Sequence, residues 1–296
     1  MNPATRLRTL LREQRLVVAP GAYDCITARM IRHAGFPAVY MTGSGTSASL
    51  GYPDYGLVGL TEMADNAGRL AAAVDIPVIA DADTGYGNEL NVVRTVQEYE
   101  RRGVAGLHIE DQEMPKKCGH LEDKSLVSLD DYLAKIRAAA AARRNPDFLV
   151  IARTDSRAVL GFEEAIRRAN AALAAGADMS FVEAPQTPEE VAAVPRLVRG
   201  PCLLNMVWRG KTPLAPLADV EAMGYRVAIL PSLLFRSVLG MCERVLGELR
   251  DTGRHPELET NLTVAEGFRR MGGDFWDPLR TRFRTPAEGE VMKAAE

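Results

Sequence analysis

The stretch Leu90-Asn91-Val92-Val93-Arg94-Thr95-Val96-Gln97-Glu98-Tyr99-Glu100-Arg101-Arg102-Gly103-Val104-Ala105-Gly106-Leu107-His108-Ile109-Glu110-Asp111 decides the fold. Leu90–Arg102 carries apolar residues at helical spacing, with charged residues between them. Gly103 then supplies the cap expected just past a helix. Val104–Ile109 is a short apolar run of strand length, and it ends in two carboxylates. The same order recurs along the chain. Ala-Gly-Phe, Arg-Gly-Val, Ala-Gly-Ala and Met-Gly-Tyr, at Gly35, Gly103, Gly176 and Gly224, each separate a helix-like segment from a strand-like run. The expected strands are 16–19, 38–41, 78–80, 104–109, 148–152, 179–182, 202–206 and 226–230. The helices between them are 22–33, 61–73, 90–102, 129–142, 162–175, 188–197 and 217–223, and a last long one spans 232–249. Continuous apolar strands alternating with helices imply a parallel sheet covered on both faces. Eight such units fit a (β/α)8 barrel. Residues 1–250 are assigned to this barrel. Residues 251–296 are assigned to a helical extension of the same domain, with helices at 262–271 and 275–283 and a polar end.

Bulk properties exclude several classes. A net charge of −3 points to neither nucleic acid nor an anionic membrane as partner. No apolar run approaches the ~20 residues that span a bilayer, and the charged N-terminus lacks a signal-peptide core. Cys25, Cys118, Cys202 and Cys242 form no CxxC pair, so they read as reduced thiols of a cytoplasmic protein. Gly210-Lys211-Thr212 resembles the end of a P-loop, but Asn205 stands where its first glycine must be. Arg143-Arg144 and Arg167-Arg168 read as solvated helix faces.

A barrel of this type places its active site at the C-terminal ends of its strands. The polar residues there are therefore the candidates. Strand two runs into Thr42-Gly43-Ser44-Gly45-Thr46-Ser47, a turn whose amides and hydroxyls suit a carboxylate. Strand three runs into Asp81-Ala82-Asp83-Thr84-Gly85-Tyr86, strand four into His108-Ile109-Glu110-Asp111 and strand five into Arg153-Thr154-Asp155. Strands six, seven and eight end in Glu183, Asn205 and Pro231-Ser232. Asp81, Asp83 and Glu110 are expected to converge. Clustered carboxylates repel unless a cation joins them, and hard oxygen donors suit Mg2+ with several waters retained. Arg153 can pair with Glu183 or clamp an anionic substrate. After strand four comes Pro115-Lys116-Lys117-Cys118-Gly119-His120. Cationic neighbours stabilise a thiolate and make a cysteine a usable acid or base near neutral pH, so Cys118 is read as reactive.

With these motifs in place, the chain resembles the isocitrate lyase/phosphoenolpyruvate mutase superfamily over 18–249. The resemblance is carried by Met41–Ser47, Asp81–Asn88, His108–Gln112, Lys116–His120 and Ile151–Asp155. It implies a barrel whose eighth helix is exchanged with a neighbouring subunit, in a homo-oligomer that is usually a dimer of dimers. It also implies Mg2+, with Mn2+ as a substitute, and a 2-hydroxy or 2-oxo dicarboxylate as substrate. Asp81, Asp83 and Glu110 then take the metal, directly or through water. Ser44, Gly45 and Thr46 hold the substrate carboxylate. Asp54, Gly119, His120, Asn205 and Pro213 complete the substrate set, and Cys118, Arg153, His108 and Glu183 are catalytic. Cys118 matches the catalytic acid of the lyase branch, on a loop, 113–124, that closes over the site.

The Thr42–Ser47 and Lys211-Thr212-Pro213 elements look most like the group of 2,3-dimethylmalate lyase, alkylmalate lyase and carboxyphosphonoenolpyruvate mutase. Isocitrate and methylisocitrate lyases have tyrosine where this chain has Thr42. Trp208-Arg209-Gly210 stands where the dimethylmalate group usually has Glu-Gly-Gly, and these residues reshape the pocket or pack outside it. The activity implied is cleavage of a substituted malate to a 2-oxo acid and a carboxylic acid. Phosphonomutase, oxaloacetate hydrolase or decarboxylase and methylisocitrate lyase activities are the alternatives, and intact site residues argue against a non-catalytic dicarboxylate binder.

Overall fold

The computed structural model describes residues 2–284; the polar end expected at 285–296 lies outside them. Eight parallel strands close into a barrel in chain order: β1 Val17–Ala22, β2 Val39–Met41, β3 Val78–Asp81, β4 Gly106–Glu110, β5 Leu149–Thr154, β6 Met179–Val182, β7 Cys202–Asn205 and β8 Val227–Leu230. β8 pairs back onto β1, with Val17 opposite Val227 and Ala19 opposite Ile229. Helices on the outside join successive strands, so this is the expected (β/α)8 barrel.

Side chains alternate in and out along each strand. The inward set fills the interior with Val17, Ala19, Tyr40, Ile79, Leu149, Ile151, Met179, Phe181, Leu203, Val227 and Ile229. The outward set packs under the helices, as Val39, Met41, Val78, Ala80, Leu107, Ile109 and Val150 do with Met63, Ala67, Leu70 and Val96. A helix absent from the expected pattern, Pro3–Glu13, closes the N-terminal end. Asn2 caps it and proline takes its first position. Its Leu7 is fully buried with the interior residues, and Arg226 donates to the carbonyls of Leu11 and Gln14 at its end. The turn expected after β2 is also helical, Gly43–Ser49, with Thr42 as its N-cap, and Ser156–Leu160 adds another short helix.

The chain divides into two compact units, Met1–Cys242 and a second beginning at Glu243, inside the last long helix, Leu233–Thr252. No residue of that helix is buried, and Leu233, Val238, Leu239 and Met241 are each 39–49% exposed. The later helices are Val264–Arg270 and Gly273–Arg284, with Phe268, Phe275, Trp276 and Phe283 exposed. One surface reading is corrected. Arg168 is buried, pairs with the fully buried Asp111 at 3.0 Å and with Glu164 at 3.0 Å, and is no solvated face. Arg143, half-buried, pairs with Asp178 at 2.6 Å. Arg167 remains exposed.

Candidate active site

The inward-facing set of the barrel changes character at the top. Ile79 is followed by Asp81, His108 by Glu110, Ile151 by Arg153, Phe181 by Glu183 and Leu203 by Asn205, each two residues further along its strand. Register then makes neighbours of them: Asp81 lies opposite His108 and Glu110 opposite Arg153. One alternation therefore builds both the apolar interior and the polar cup above it.

Asp81 is buried beneath the turn that follows β2. Its Oδ2 accepts from the Gly43 amide at 3.1 Å, and its Oδ1 accepts from the Asp83 amide at 3.0 Å. Gly43 is required there, because a Cβ would stand 2.4 Å from Asp81 Oδ2. Burial opposes ionisation of Asp81, but His108, Lys116 and Arg153 outweigh it and hold its pKa at about 2. His108 shares a 2.8 Å hydrogen bond with Tyr40 and packs edge-on against Phe181. Burial lowers its pKa to about 4, so it is neutral at physiological pH. Asp83, with φ of 47°, turns toward Lys116, whose ammonium bridges Asp54 at 2.5 Å and Asp83 at 2.7 Å. Burial first, then the charges of Asp81 and Asp54, lift Asp83 to about 7 despite Lys116. Glu110 lies 3.2 Å from Arg153, and burial raises its pKa strongly.

Among the described residues, no three His, Cys, Asp or Glu side chains converge closely enough to form an all-protein metal cage. Asp81, Asp83 and Glu110 do not meet at one point; Lys116 takes up Asp83 and Arg153 takes up Glu110. The donors nevertheless suit a hydrated Mg2+, which needs only one or two direct carboxylates. Asp81 is held ionised. Glu110 Oε1 is buried without a hydrogen-bond partner, as a water-mediated acceptor would be.

Loop 113–124 sits down on the opposite side of the cup. Gly119 is so close that a Cβ would lie 2.3 Å from Glu183 Oε1 and 2.5 Å from Arg153 Nη2. His120 Nε2 is 3.3 Å from Glu183, while its Nδ1 accepts from the Lys211 amide at 3.0 Å. That acceptance places the ring proton on Nε2. Asn205 Nδ2 donates to both oxygens of Glu183 at 3.2 Å. The lysines that precede Cys118 in sequence do not bring its pKa toward neutrality. Burial, with the charge of Asp54 behind it, pushes the thiol up to about 11. Lys116 serves Asp54 and Asp83 rather than the sulfur, and Cys118 is a protonated thiol.

The other expected residues divide. Ser44 Oγ lies 3.0 Å from Thr42 Oγ1 at the start of the short helix, and Gly45 is buried beside it. The Thr46 hydroxyl is committed, donating to the Thr42 carbonyl at 2.8 Å and accepting from Asn66 at 2.9 Å. Pro213 is half-buried next to the buried Thr212. Trp208 is 62% exposed and lines an apolar groove with Met206, Leu214, Leu230 and Leu233 instead of the cup. Three contributors went unassigned in the sequence reading: Tyr40, which bonds His108; Asp155, which grips Arg153 at 2.8 and 3.1 Å; and Lys124, which reaches Asp155. An inward position two residues before Thr42 was the available signal for Tyr40. Asp155 stood among the polar residues at the end of strand five without a role, and nothing local marked Lys124.

A family model described as phosphoenolpyruvate phosphomutase matches residues 7–250. The chain is 50% identical over 233 residues to 2,3-dimethylmalate lyase of Eubacterium barkeri, covering 78% of this chain and 81% of that one. It is 41% identical over 295 residues to 2-methylisocitrate lyase of Aeropyrum pernix, covering 100% and 93%. It is also similar to the solved structure of a phosphonopyruvate hydrolase complexed with oxalate and Mg2+, with a TM-score of 0.87 and 31% identity over 96% and 100% of the two chains.

Proposed function

We propose that the chain, an enzyme of the phosphoenolpyruvate mutase/isocitrate lyase superfamily, of which one similar structure is a complex with oxalate and Mg2+, cleaves a substituted malate to a 2-oxo acid and a carboxylic acid with Cys118 as proton donor. The observation that carries this reading is a thiol held protonated on a loop seated against Arg153 and Glu183. The relative at 50% identity is a dimethylmalate lyase, which supports the substrate class.

Asp81, with Asp83 and Glu110, would hold Mg2+, which when bound would supply positive charge to favour ionisation of the 2-hydroxyl. Ser44 and Gly45 receive the substrate carboxylate, and Thr46, whose hydroxyl is bonded to the Thr42 carbonyl and Asn66, braces that turn. Arg153 faces the developing carbonyl, its guanidinium fixed by Asp155. The C2–C3 bond breaks, and its electron pair stays with C3 as the enediolate of the departing carboxylate. Cys118 gives its proton to that carbon. The proton lost from the 2-hydroxyl and the one regained by Cys118 on loop opening balance the cycle. Closure of loop 113–124 keeps water from the enediolate. His108 stays neutral, and with Asn205, Glu183, His120 and Asp54 it shapes the pocket.

The working form in this reading is a cytoplasmic homo-oligomer, a dimer of dimers. The helix Leu233–Thr252, none of whose residues is fully buried, supports exchange between subunits. So does the groove of about 530 Å³ beside Trp208.

The test is release of a 2-oxo acid from 2-methyl-, 3-methyl- and 2,3-dimethylmalate with Mg2+, read by a dehydrogenase couple with a chelator control. Chelator-sensitive release supports the reading. Silence on malates with turnover of oxaloacetate or a phosphonate would reject it. The rival with a specific observation behind it is 2-methylisocitrate cleavage, given the similarity to the Aeropyrum pernix lyase. Preferred turnover of 2-methylisocitrate would establish that rival.

A further inference from the structure

We propose that Lys124 is a positioning residue that latches loop 113–124 shut, its ammonium tying the loop-tip carbonyl of Gly119 to Asp155, the carboxylate that also holds Arg153. The proposal rests on the lyase reading only for its effect on turnover.

The stems of the loop are zipped together. The Glu113 amide donates to Ser125 O at 2.9 Å, the Val127 amide donates to Asp111 O at 3.0 Å, and Gln112 bridges Leu126 antiparallel. The segment between them is therefore a flap on a short hairpin. It has little apolar anchoring: Glu113, Met114, Pro115 and Glu122 are exposed and Leu121 is 41% exposed. Hydrophobic burial cannot account for its closed position, and a polar contact must.

Two buried lysines of the loop supply such contacts: Lys116 anchors its first half to Asp54 and Asp83, and the tip is tied by Lys124. Its side chain is 1% exposed, and lysine is almost never buried unless paired. Nζ donates to Asp155 Oδ1 at 2.9 Å and to the Gly119 carbonyl. Asp155 is a fixed post. Its amide donates to Asp111 Oδ1 at 2.8 Å, and Asp111 is pinned by Arg168 and the Thr154 hydroxyl. Burial works against Asp155, but Arg153 and Lys124 hold it well below the usual carboxylate range. The line Arg168–Asp111–Asp155–Lys124–Gly119 thus runs from a helix outside the barrel to the residue beside Cys118. The surface clasp, Lys211 to Glu122 at 2.6 Å, has its carboxylate 77% exposed, and such pairs are worth little. A lysine that only neutralised Asp155 would need no bond to the loop tip.

Hydrogen exchange of segment 113–124, followed by mass spectrometry in the full-length protein without substrate, tests this for wild type, Lys124→Met and Lys124→Arg. Loss of a buried charged hydrogen bond shifts such an equilibrium by about 10- to 100-fold. The expected result is exchange in 113–124 at least ~10-fold faster in Lys124→Met, unchanged in the barrel strands, and largely restored in Lys124→Arg. With a turned-over malate, kcat falls by a similar factor while KM moves less. Equal exchange in wild type and Lys124→Met overturns the latch. So does acceleration spread through the barrel, the mark of a mere counter-ion. If Lys124→Met does not fold, Lys124→Gln is read by the same criteria. The exchange arm stands apart from the lyase reading, which fails separately if wild type releases no 2-oxo acid.

Discussion

Replacing Gly119 with alanine asks how closely Cys118 must be held. Gly119 lies outside the left-handed region, so the backbone accepts alanine, and the cost is purely steric. The new Cβ would stand 2.3 Å from Glu183 Oε1, 2.5 Å from Arg153 Nη2 and 2.6 Å from Glu183 Cγ, where ordinary contact begins at 3.4 Å. Neither neighbour can give way. Arg153 is gripped by Asp155 at 2.8 and 3.1 Å, and Glu183 is held by Asn205 at 3.2 Å on both oxygens. The loop tip must therefore retreat by about 1 Å, and a misplacement of that size costs on the order of 10²-fold in rate. The loop contributes nothing to the apolar core, so the unfolding midpoint should stay within a few degrees of wild type. The assay is steady-state release of 2-oxo acid from the best-used malate, with thermal unfolding alongside. A kcat within twofold of wild type would refute the close seating of Gly119 and with it the placement of the thiol.

Three further outcomes follow from the same geometry. Cys118, with its thiol near 11, should be alkylated by iodoacetamide about 300-fold more slowly at pH 7.5 than an ordinary cysteine of pKa about 8.5; its rate, read by peptide mass, should rise about tenfold per pH unit up to pH 10, and a plateau below pH 9 would contradict a raised thiol. Asp81→Asn should keep the barrel but lose Mg2+ affinity measured by titration calorimetry, and wild-type affinity would remove Asp81 from the metal site. Arg168→Ala strands the fully buried Asp111 and should destabilise by roughly 3–5 kcal/mol in denaturant unfolding, whereas Arg167→Ala, at a 57% exposed side chain, should change little.

The barrel was legible because its signals are local. Apolar runs of strand length, helical spacing and glycine at Gly35, Gly103, Gly176 and Gly224 all lie within a few residues of what they specify. The cup was legible for a related reason, since strand ends in this fold face one another whatever their distance in the chain. What escaped depends on where long side chains point. Lys116 and Lys117 precede Cys118 in sequence, yet Lys116 reaches Asp54, 62 residues away, and burial raises the thiol's pKa where the lysines were expected to bring it toward neutrality. Arg168 looked like one half of a solvated pair until the fold set it 57 residues from its partner Asp111. Helix Pro3–Glu13 was missed because its fully buried face is only Ala4 and Leu7 among charges.

The central claim is C2–C3 cleavage with a proton delivered by Cys118, and proton NMR of 2,3-dimethylmalate turnover in D2O tests it most directly. The account predicts a 2-oxo acid and a carboxylic acid carrying one deuterium on the carbon released from C3, with Mg2+ required and the rate of Cys118→Ser lower by orders of magnitude. Turnover by Cys118→Ser at a near-normal rate, or products that leave the C2–C3 bond intact, would contradict it.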